Sequence, residues 1–506
     1  MDRLLNLPLI VILMGVGAAA MAVPAAHGAL TRDWAAAETF VLSGLFFGVI
    51  TVLLGLATQG HRPRALSRSH LMALVLALTV LPAMLAVPFW MAVPATTFLN
   101  AWVEMVSSLT TTGISLFEPA RLPEAVHLWR ALVGWLGGYL AWVAALAILA
   151  PMNLGGFEVT SSAGVGAGIR RDRQIGLAEA GDPRARIVRQ AWRLLPIYAG
   201  LTGALLLGLL VLGERPFVAA CHAMSVMATS GISPVGGLEA AQAGVPGEVL
   251  IFAFLVFAIT RVAYLPERGL PWTRQMARDP EARIAAILVV SVPLVLFLRH
   301  WIAAFEVDMV ADLGAALRAL WGAAFSVLSF LSSTGFLSAE WQTARAWSGL
   351  ETPGIVLLGL GLIGGGVATT AGGVKLLRVY ALAMHGAREL EKLIHPSSVG
   401  GAGAQARRIR RQGAYISWIF FMLFALSLAA VSSVLAATGV DFDAALVLAV
   451  ASLSTTGPVA GVVLEVPVSP AGLDDLAKTV LAFAMVLGRL ETLAIIALLN
   501  PEFWRN

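Results

Sequence analysis

The chain has 506 residues, 58% of them hydrophobic and 13% charged, with Lys+Arg 34 against Asp+Glu 30 and a net charge of +4; its mean hydropathy is +0.83. Soluble domains carry about 25% charged residues, so this deficit places the chain in a bilayer and leaves no polar stretch able to fold as a separate globular domain. The charge balance gives no basis for a nucleic-acid partner, and a single cysteine, Cys221, excludes an intrachain disulfide framework and a cysteine-based metal cluster.

The first apolar run follows Arg3 and reads LPLIVILMGVGAAAMAVPAA. Ala25, Ala26 and Ala29 would suit a cleavage site, but the run is long enough to span, so a retained helix is expected. Spanning takes about 20 apolar residues. Such runs fall near 6–28, 39–58, 71–92, 128–150, 191–213, 247–265, 282–304, 353–381, 412–438 and 476–499. Shorter apolar stretches lie near 97–111, 216–229, 315–333 and 443–455, a length that often marks a re-entrant segment. The order is a leading pair over 1–70, then long-short-long four times, over 71–190, 191–281, 282–411 and 412–506. That is an internal repeat. It predicts an all-α polytopic membrane protein with four pseudo-symmetric units around one axis.

Basic residues set the expected topology. Arg62, Arg64 and Arg68, the arginines of 152–190, those of 266–283 and the basic cluster of 375–411 share one side if every unit begins and ends in the cytoplasm, as the positive-inside rule asks. Both termini would then be cytoplasmic.

Each short stretch ends in two hydroxyl residues and a glycine. The four are Thr111-Thr112-Gly113, Thr229-Ser230-Gly231, Ser333-Thr334-Gly335 and Thr455-Thr456-Gly457, and the pattern occurs nowhere else in the chain. Their glycines are 118, 104 and 122 residues apart. Ser107, Ser225 and Ser329 lie six residues before their glycine and Ser452 five before Gly457. Non-helical backbone survives in a bilayer only when buried in protein or lining a water-filled cavity. Four re-entrant helices that stop and return as extended chain would present carbonyl oxygens to one axis, where they can replace a cation's hydration shell. Glycine permits the backbone angles this needs, oxygen ligands suit hard cations, and helix carboxyl ends add partial negative charge. The competing reading is that each tripeptide simply caps a helix.

A second glycine-rich stretch interrupts the span near 353–381. Gly364, Gly365, Gly366, Gly372 and Gly373 surround Thr369 and Thr370, with Lys375 and Arg378 following. Glycine costs a helix about 1 kcal/mol per residue against alanine, so this span should break or move. A cation there could repel a passing ion or hold the loop through its carbonyls. Close packing through small residues is the alternative. His222 reads as a pH-sensitive ligand or, better, as a residue packed behind the short helix, and Glu104 as a cation-attracting charge or a buried structural acid.

Several stretches resemble the Trk/Ktr/HKT superfamily of potassium transporters, specifically the TrkH/TrkG-type membrane subunits: LWRALVGWLGG (128–138), STGF (333–336), GGGVATTAGGVKLLRV (364–379), RELEKLIHP (388–396) and MVLGRLETLAIIALLNPEFWR (485–505). The resemblance covers nearly the whole chain. It implies gated potassium uptake across a bacterial inner membrane and a homodimer regulated by a cytoplasmic TrkA-like nucleotide-binding ring, with no organic cofactor on this chain and no enzymatic activity. It carries potassium to the backbone carbonyls around Thr111, Thr112, Thr229, Ser230, Ser333, Thr334, Thr455 and Thr456, with Gly113, Gly231, Gly335 and Gly457 as filter glycines. It makes 364–375 an intramembrane gating loop and Arg489 a residue near the pore, although pairing with Glu491 would serve equally. The family has also been described as proton- or sodium-coupled symporters. An alternating-access carrier with broken midplane helices is the other functional class. Two departures stand out: the fourth tripeptide continues as Pro458-Val459-Ala460, where many Trk proteins have Asn before the glycine and Gly after the proline, and Arg261 sits in AITRVAYL (258–265).

Overall fold

The computed structural model describes residues 7–58, 66–152, 154–159, 183–264, 271–304, 313–350, 352–395, 411–463 and 470–490. These residues form helices and connecting loops, with no strand among them. Eight helices are long and apolar enough to cross a membrane among the described residues. The arginines of 160–182 and 396–410, residues 1–6, and Glu491 with the rest of the carboxyl terminus lie outside them.

The leading pair shows why the chain needs lipid. Helix Trp34–Ala57 begins at Asp33, whose carboxylate accepts the Ala36 N–H at 3.2 Å, and it exposes Leu45, Phe46, Val49, Val52, Leu53 and Leu56. Spacings of three and four put these on one stripe, the reverse of a water-soluble helix, which turns such a stripe inward. The buried face is small: Ala36, Ala37, Phe40, Ser43 and Gly55. A Cβ on Gly44 would stand 3.2 Å from the Ala18 carbonyl, so the two helices approach through small residues, as membrane helices do.

Behind this pair come four sets of helices, in each of which the middle one ends at a tripeptide. Leu81–Ala92 is followed by Phe98–Leu109 and Glu124–Ala144; Pro183–Val211 by Pro216–Ala228 and Gly244–Ile259; Pro280–Ala304 by Leu313–Leu331 and Gly354–Ile363; Arg411–Ala437 by Phe442–Leu453 and Asp475–Leu490. Two expected spans differ in the structure. The run near 247–265 ends as a helix at Ile259, because the Thr260 hydroxyl accepts the Val262 N–H and starts a short 3-10 turn. The run near 353–381 stops at Ile363, crosses a non-helical stretch, and resumes as Leu376–Ile394. Leu313–Leu331 is long enough to span on length alone, yet its carboxyl end stops inside the protein.

Candidate functional site

The four tripeptides end their helices in one way. Thr111, Thr229, Ser333 and Thr455 have φ of 56, 52, 58 and 51°, in the left-handed region. Their N–H groups bond three residues back, to Ser108, Val226, Phe330 and Ser452 carbonyls at 3.0 to 3.2 Å. The next N–H groups, of Thr112, Ser230, Thr334 and Thr456, bond five residues back, to Ser107, Ser225, Ser329 and Ala451 at 2.9 to 3.0 Å. This pair of bonds is the Schellman helix end, which ordinarily takes glycine at the left-handed position. Here that position holds Thr or Ser, at a cost of about 1–2 kcal/mol each. Capping and a specialised site are therefore the same feature, and four equivalent outliers point to function.

The second hydroxyls tie down their own loops. Thr112 Oγ1 bonds Thr110 Oγ1 at 2.8 Å, Ser230 Oγ donates to Ser225 Oγ at 3.1 Å, Thr334 Oγ1 bonds Ser332 Oγ at 2.9 Å, and Thr456 donates to the Ser454 carbonyl at 3.2 Å. The first hydroxyls differ: Thr111 Oγ1 and Thr455 Oγ1 are buried without a hydrogen-bond partner.

The corners close into a ring. A Cβ on Gly113 would overlap the Ser230 carbonyl, and one on Gly231 the Thr334 carbonyl. On Gly335 it would meet Pro458, and on Gly457 the backbone of Thr112, Gly113 and Ile114. Each corner thus abuts the next and the fourth returns to the first, where the Gly457 N–H donates to the Thr112 carbonyl at 2.6 Å.

Side chains on three of the short helices fasten the chain leaving the ring. Glu104 accepts the Leu116 N–H at 2.9 Å and pairs with buried Arg130. His222 Nε2 bonds Ser233 Oγ at 2.9 Å, with its ring edge-on to Phe336. Ser326 Oγ accepts the Ser338 N–H at 3.4 Å, and Glu248 gathers the Ser338 hydroxyl, the Ala339 N–H and the Trp321 indole N–H at 2.6 to 2.8 Å. Glu104 and His222 are each bonded to the chain that leaves their own corner.

The glycine-rich loop lies against the hydroxyl level of the ring. Gly372 donates to Ser333 Oγ at 2.7 Å, and a Cβ there would overlap the Ser454 carbonyl and Thr455 Oγ1. Thr370 donates to the Met227 carbonyl at 3.3 Å. The loop therefore touches the ends of three short helices. Gly364, Ala368, Gly373 and Lys375 adopt positive φ, so the bend rests on several left-handed positions and only two of those four are glycines. Lys375 Nζ donates to the Ala371 carbonyl, and Arg489 Nη1 to the Thr370 carbonyl at 2.6 Å. Arg378 donates to the Val374 carbonyl at 3.4 Å and stacks over Phe420 at 3.7 Å. These cations hold the loop. A small cavity beside it is lined by Leu78, Ala144, Thr369, Lys375 and Arg489 among others.

Sequence reading missed the loop's other anchors. The Tyr264 hydroxyl donates to the Ala368 carbonyl, and Trp142 stacks on Tyr264 with centroids 4.1 Å apart. Glu281 Oε1 accepts the Val367 N–H at 2.7 Å, and Gly366 donates to the Ala258 carbonyl at 3.1 Å. Arg261 lies 5.7 Å over the Phe157 ring while its neighbour Thr260 donates to Asp279. Glu281 stands between Asp279 and Arg283 in the sequence, so nothing local marked it as an anchor. Two glycines in the resembling stretches also acquire a physical role: a Cβ on Gly137 would overlap the Leu109 carbonyl, and on Gly488 the Leu453 carbonyl.

Residues 274–504 match a family model described as TrkH, a cation transport protein. The chain is 32% identical to a Trk system potassium uptake protein TrkH of Salmonella typhimurium over 87% of this chain and 86% of that one. It is 28% identical to a protein of the same name from Vibrio parahaemolyticus over 98% of each. The crystal structure of the potassium transporter TrkH from Vibrio parahaemolyticus superposes over 100% of both chains with a TM-score of 0.81 at 26% identity. The described helices, the ring of four helix ends and these likenesses agree: the chain belongs to the TrkH family of cation transport proteins, which are membrane transporters and not enzymes.

Proposed function

We propose that this protein takes up potassium through a gated, carbonyl-lined filter formed by the four tripeptides. The observation that carries the reading is the closed ring of four helix ends with matched left-handed positions. Carbonyls of Thr112, Ser230 and Thr334 lie at the seams between corners, where a cation crossing the ring would meet them. The unpartnered hydroxyls of Thr111 and Thr455 add oxygen ligands. Each helix end contributes about half a negative charge, and membrane voltage supplies about 2.3 kcal/mol per charge per 100 mV. One glycine per corner, in place of a longer filter strand, favours weaker rejection of sodium than in potassium channels. The loop 364–375 acts as the gate, held shut by Arg489, Lys375, Tyr264 and Glu281. We assign the leading pair to 1–70 and the four units to 71–190, 191–281, 282–411 and 412–506, with both termini cytoplasmic in a bacterial inner membrane. The relatives are named Trk system potassium uptake proteins, which supports potassium as cargo; a homodimer and a cytoplasmic nucleotide-binding ring as regulator are added from the resemblance of the sequence alone. Liposomes containing purified protein, with any required partner, should pass potassium and rubidium faster than sodium under an imposed voltage. Absence of cation flux would overturn the reading.

A further inference from the structure

Three corners of the ring share one plan and the fourth departs from it. Nine residues before the glycine stand Glu104, His222 and Ser326, each bonded to the chain leaving its own corner; the fourth short helix has Leu448 there, which offers no polar atom. After the glycine come Ile114, Ile232 and Phe336, all buried, whereas Pro458 is half-buried. The backbone departs too. Gly113, Gly231 and Gly335 have φ of 77, 64 and 79°, while Gly457 is not in the positive-φ region. A residue preceding proline is restricted in conformation, and here the chain turns at once into the 3-10 turn Gly457–Val459.

The consequence appears at the other glycines. A Cβ on Gly335 would have the Pro458 ring carbons as its three nearest neighbours, at 3.0 to 3.1 Å. On Gly231 it would meet the same ring at 2.7 and 3.2 Å, and on Gly113 at 3.6 Å. One side chain that reaches three glycines from the fourth corner lies across the ring, not behind it. It does so at the glycine level, one residue beyond the hydroxyls that the loop covers.

We propose that Pro458 sets the ring's width and hence its discrimination between cations. Its ring is an apolar wedge that offers no ligand, so an ion at this level is coordinated by the carbonyls of the other corners in a narrowed space. The fourth corner, without a polar fastener behind it, is held instead by the bond from the Gly457 N–H to the Thr112 carbonyl. This inference rests on the reading that ions pass through the ring.

Single-channel recording of the full-length protein in planar bilayers tests it, because unitary conductance and the reversal potential under potassium against sodium do not depend on how often the loop opens. Pro458→Ala, and independently Pro458→Gly, should raise unitary conductance about twofold and lower the potassium-to-sodium permeability ratio at least about threefold, since selectivity follows ligand geometry. Gly335→Ala should lower conductance in the native background and much less in Pro458→Ala, because its new methyl group meets the proline; contacting residues show such coupling. Either proline variant, eluting as a folded protein but with native conductance and permeability ratio, would overturn the proposal. So would additive effects of Gly335→Ala and Pro458→Ala. Absence of current in the unmodified protein with its partner present would instead overturn the transport reading, and this proposal with it.

Discussion

Replacing Gly113 by serine places a side chain where the structure has no room. At φ of 77° a residue with a Cβ is strained by about 1–2 kcal/mol before any contact is considered. The Cβ itself would overlap the Ser230 carbonyl of the neighbouring corner. Carbon and oxygen in ordinary contact need well over 3 Å, so that carbonyl must retreat by roughly 1 Å. A retreat of this size in an ion ligand should disturb the balance between potassium and sodium by about 1.4 kcal/mol, a factor of ten. Gly335 provides the internal comparison. Its φ is 79°, nearly the same, but the nearest neighbours of its Cβ would be proline carbons at 3.0 to 3.1 Å in place of an overlapping carbonyl oxygen. Gly335→Ser should therefore cost selectivity less than Gly113→Ser, although the strain is equal. Reversal potentials in liposomes or planar bilayers read the difference directly. An unchanged potassium-to-sodium ratio in Gly113→Ser, or equal losses in the two variants, would refute the carbonyl-ring reasoning.

Tyr264→Phe removes one hydrogen bond to the loop at Ala368, worth about 1 kcal/mol, so open probability in the absence of a regulator should rise about fivefold. Glu281→Leu removes the hydrogen bond from the Val367 N–H and should also raise it; native open probability in both variants would detach these residues from gating. Deleting 366–373 should increase flux in folded protein, and lower or unchanged flux would argue for a packing role. Glu104→Gln leaves Arg130 buried and uncompensated, a loss of about 3–5 kcal/mol, seen as a lower melting temperature in detergent; the double variant Glu104→Leu with Arg130→Met should recover part of it, and no recovery would contradict the paired-charge account.

Much of this architecture was legible in the residues because the bilayer imposes simple rules. Apolar run length marked most of the spans, although the runs near 247–265 and 353–381 form helices of 16 and 10 residues, and four Ser/Thr-Ser/Thr-Gly tripeptides at similar spacing announced four corners. The glycines of 364–373 foretold a broken span, and the helix does stop at Ile363. Contacts between distant residues were not legible. Tyr264 and Ala368 are 104 residues apart, and Glu281 and Val367 are 86 apart, and no local pattern joins them. The hydroxyl residues suggested either caps or ligands, whereas the structure makes the left-handed cap the device that builds the corner. The stretch near 315–333, short in the sequence, forms a 19-residue helix, Leu313–Leu331, and Ser333 and Thr334 end it inside the ring. The fourth corner was visible as a departure from the family pattern at Thr456 and Val459, yet only three dimensions set the Pro458 ring against the other glycines.

Ions held on the axis of the tripeptide ring by backbone oxygen are the central requirement for selective passage. Crystals of the protein soaked or grown in rubidium, measured at the rubidium absorption edge, test it most directly. The account predicts an anomalous peak on the axis enclosed by residues 111–113, 229–231, 333–335 and 455–457, weakened when sodium replaces rubidium. Rubidium density confined to other parts of the protein, with the ring axis empty, would contradict it.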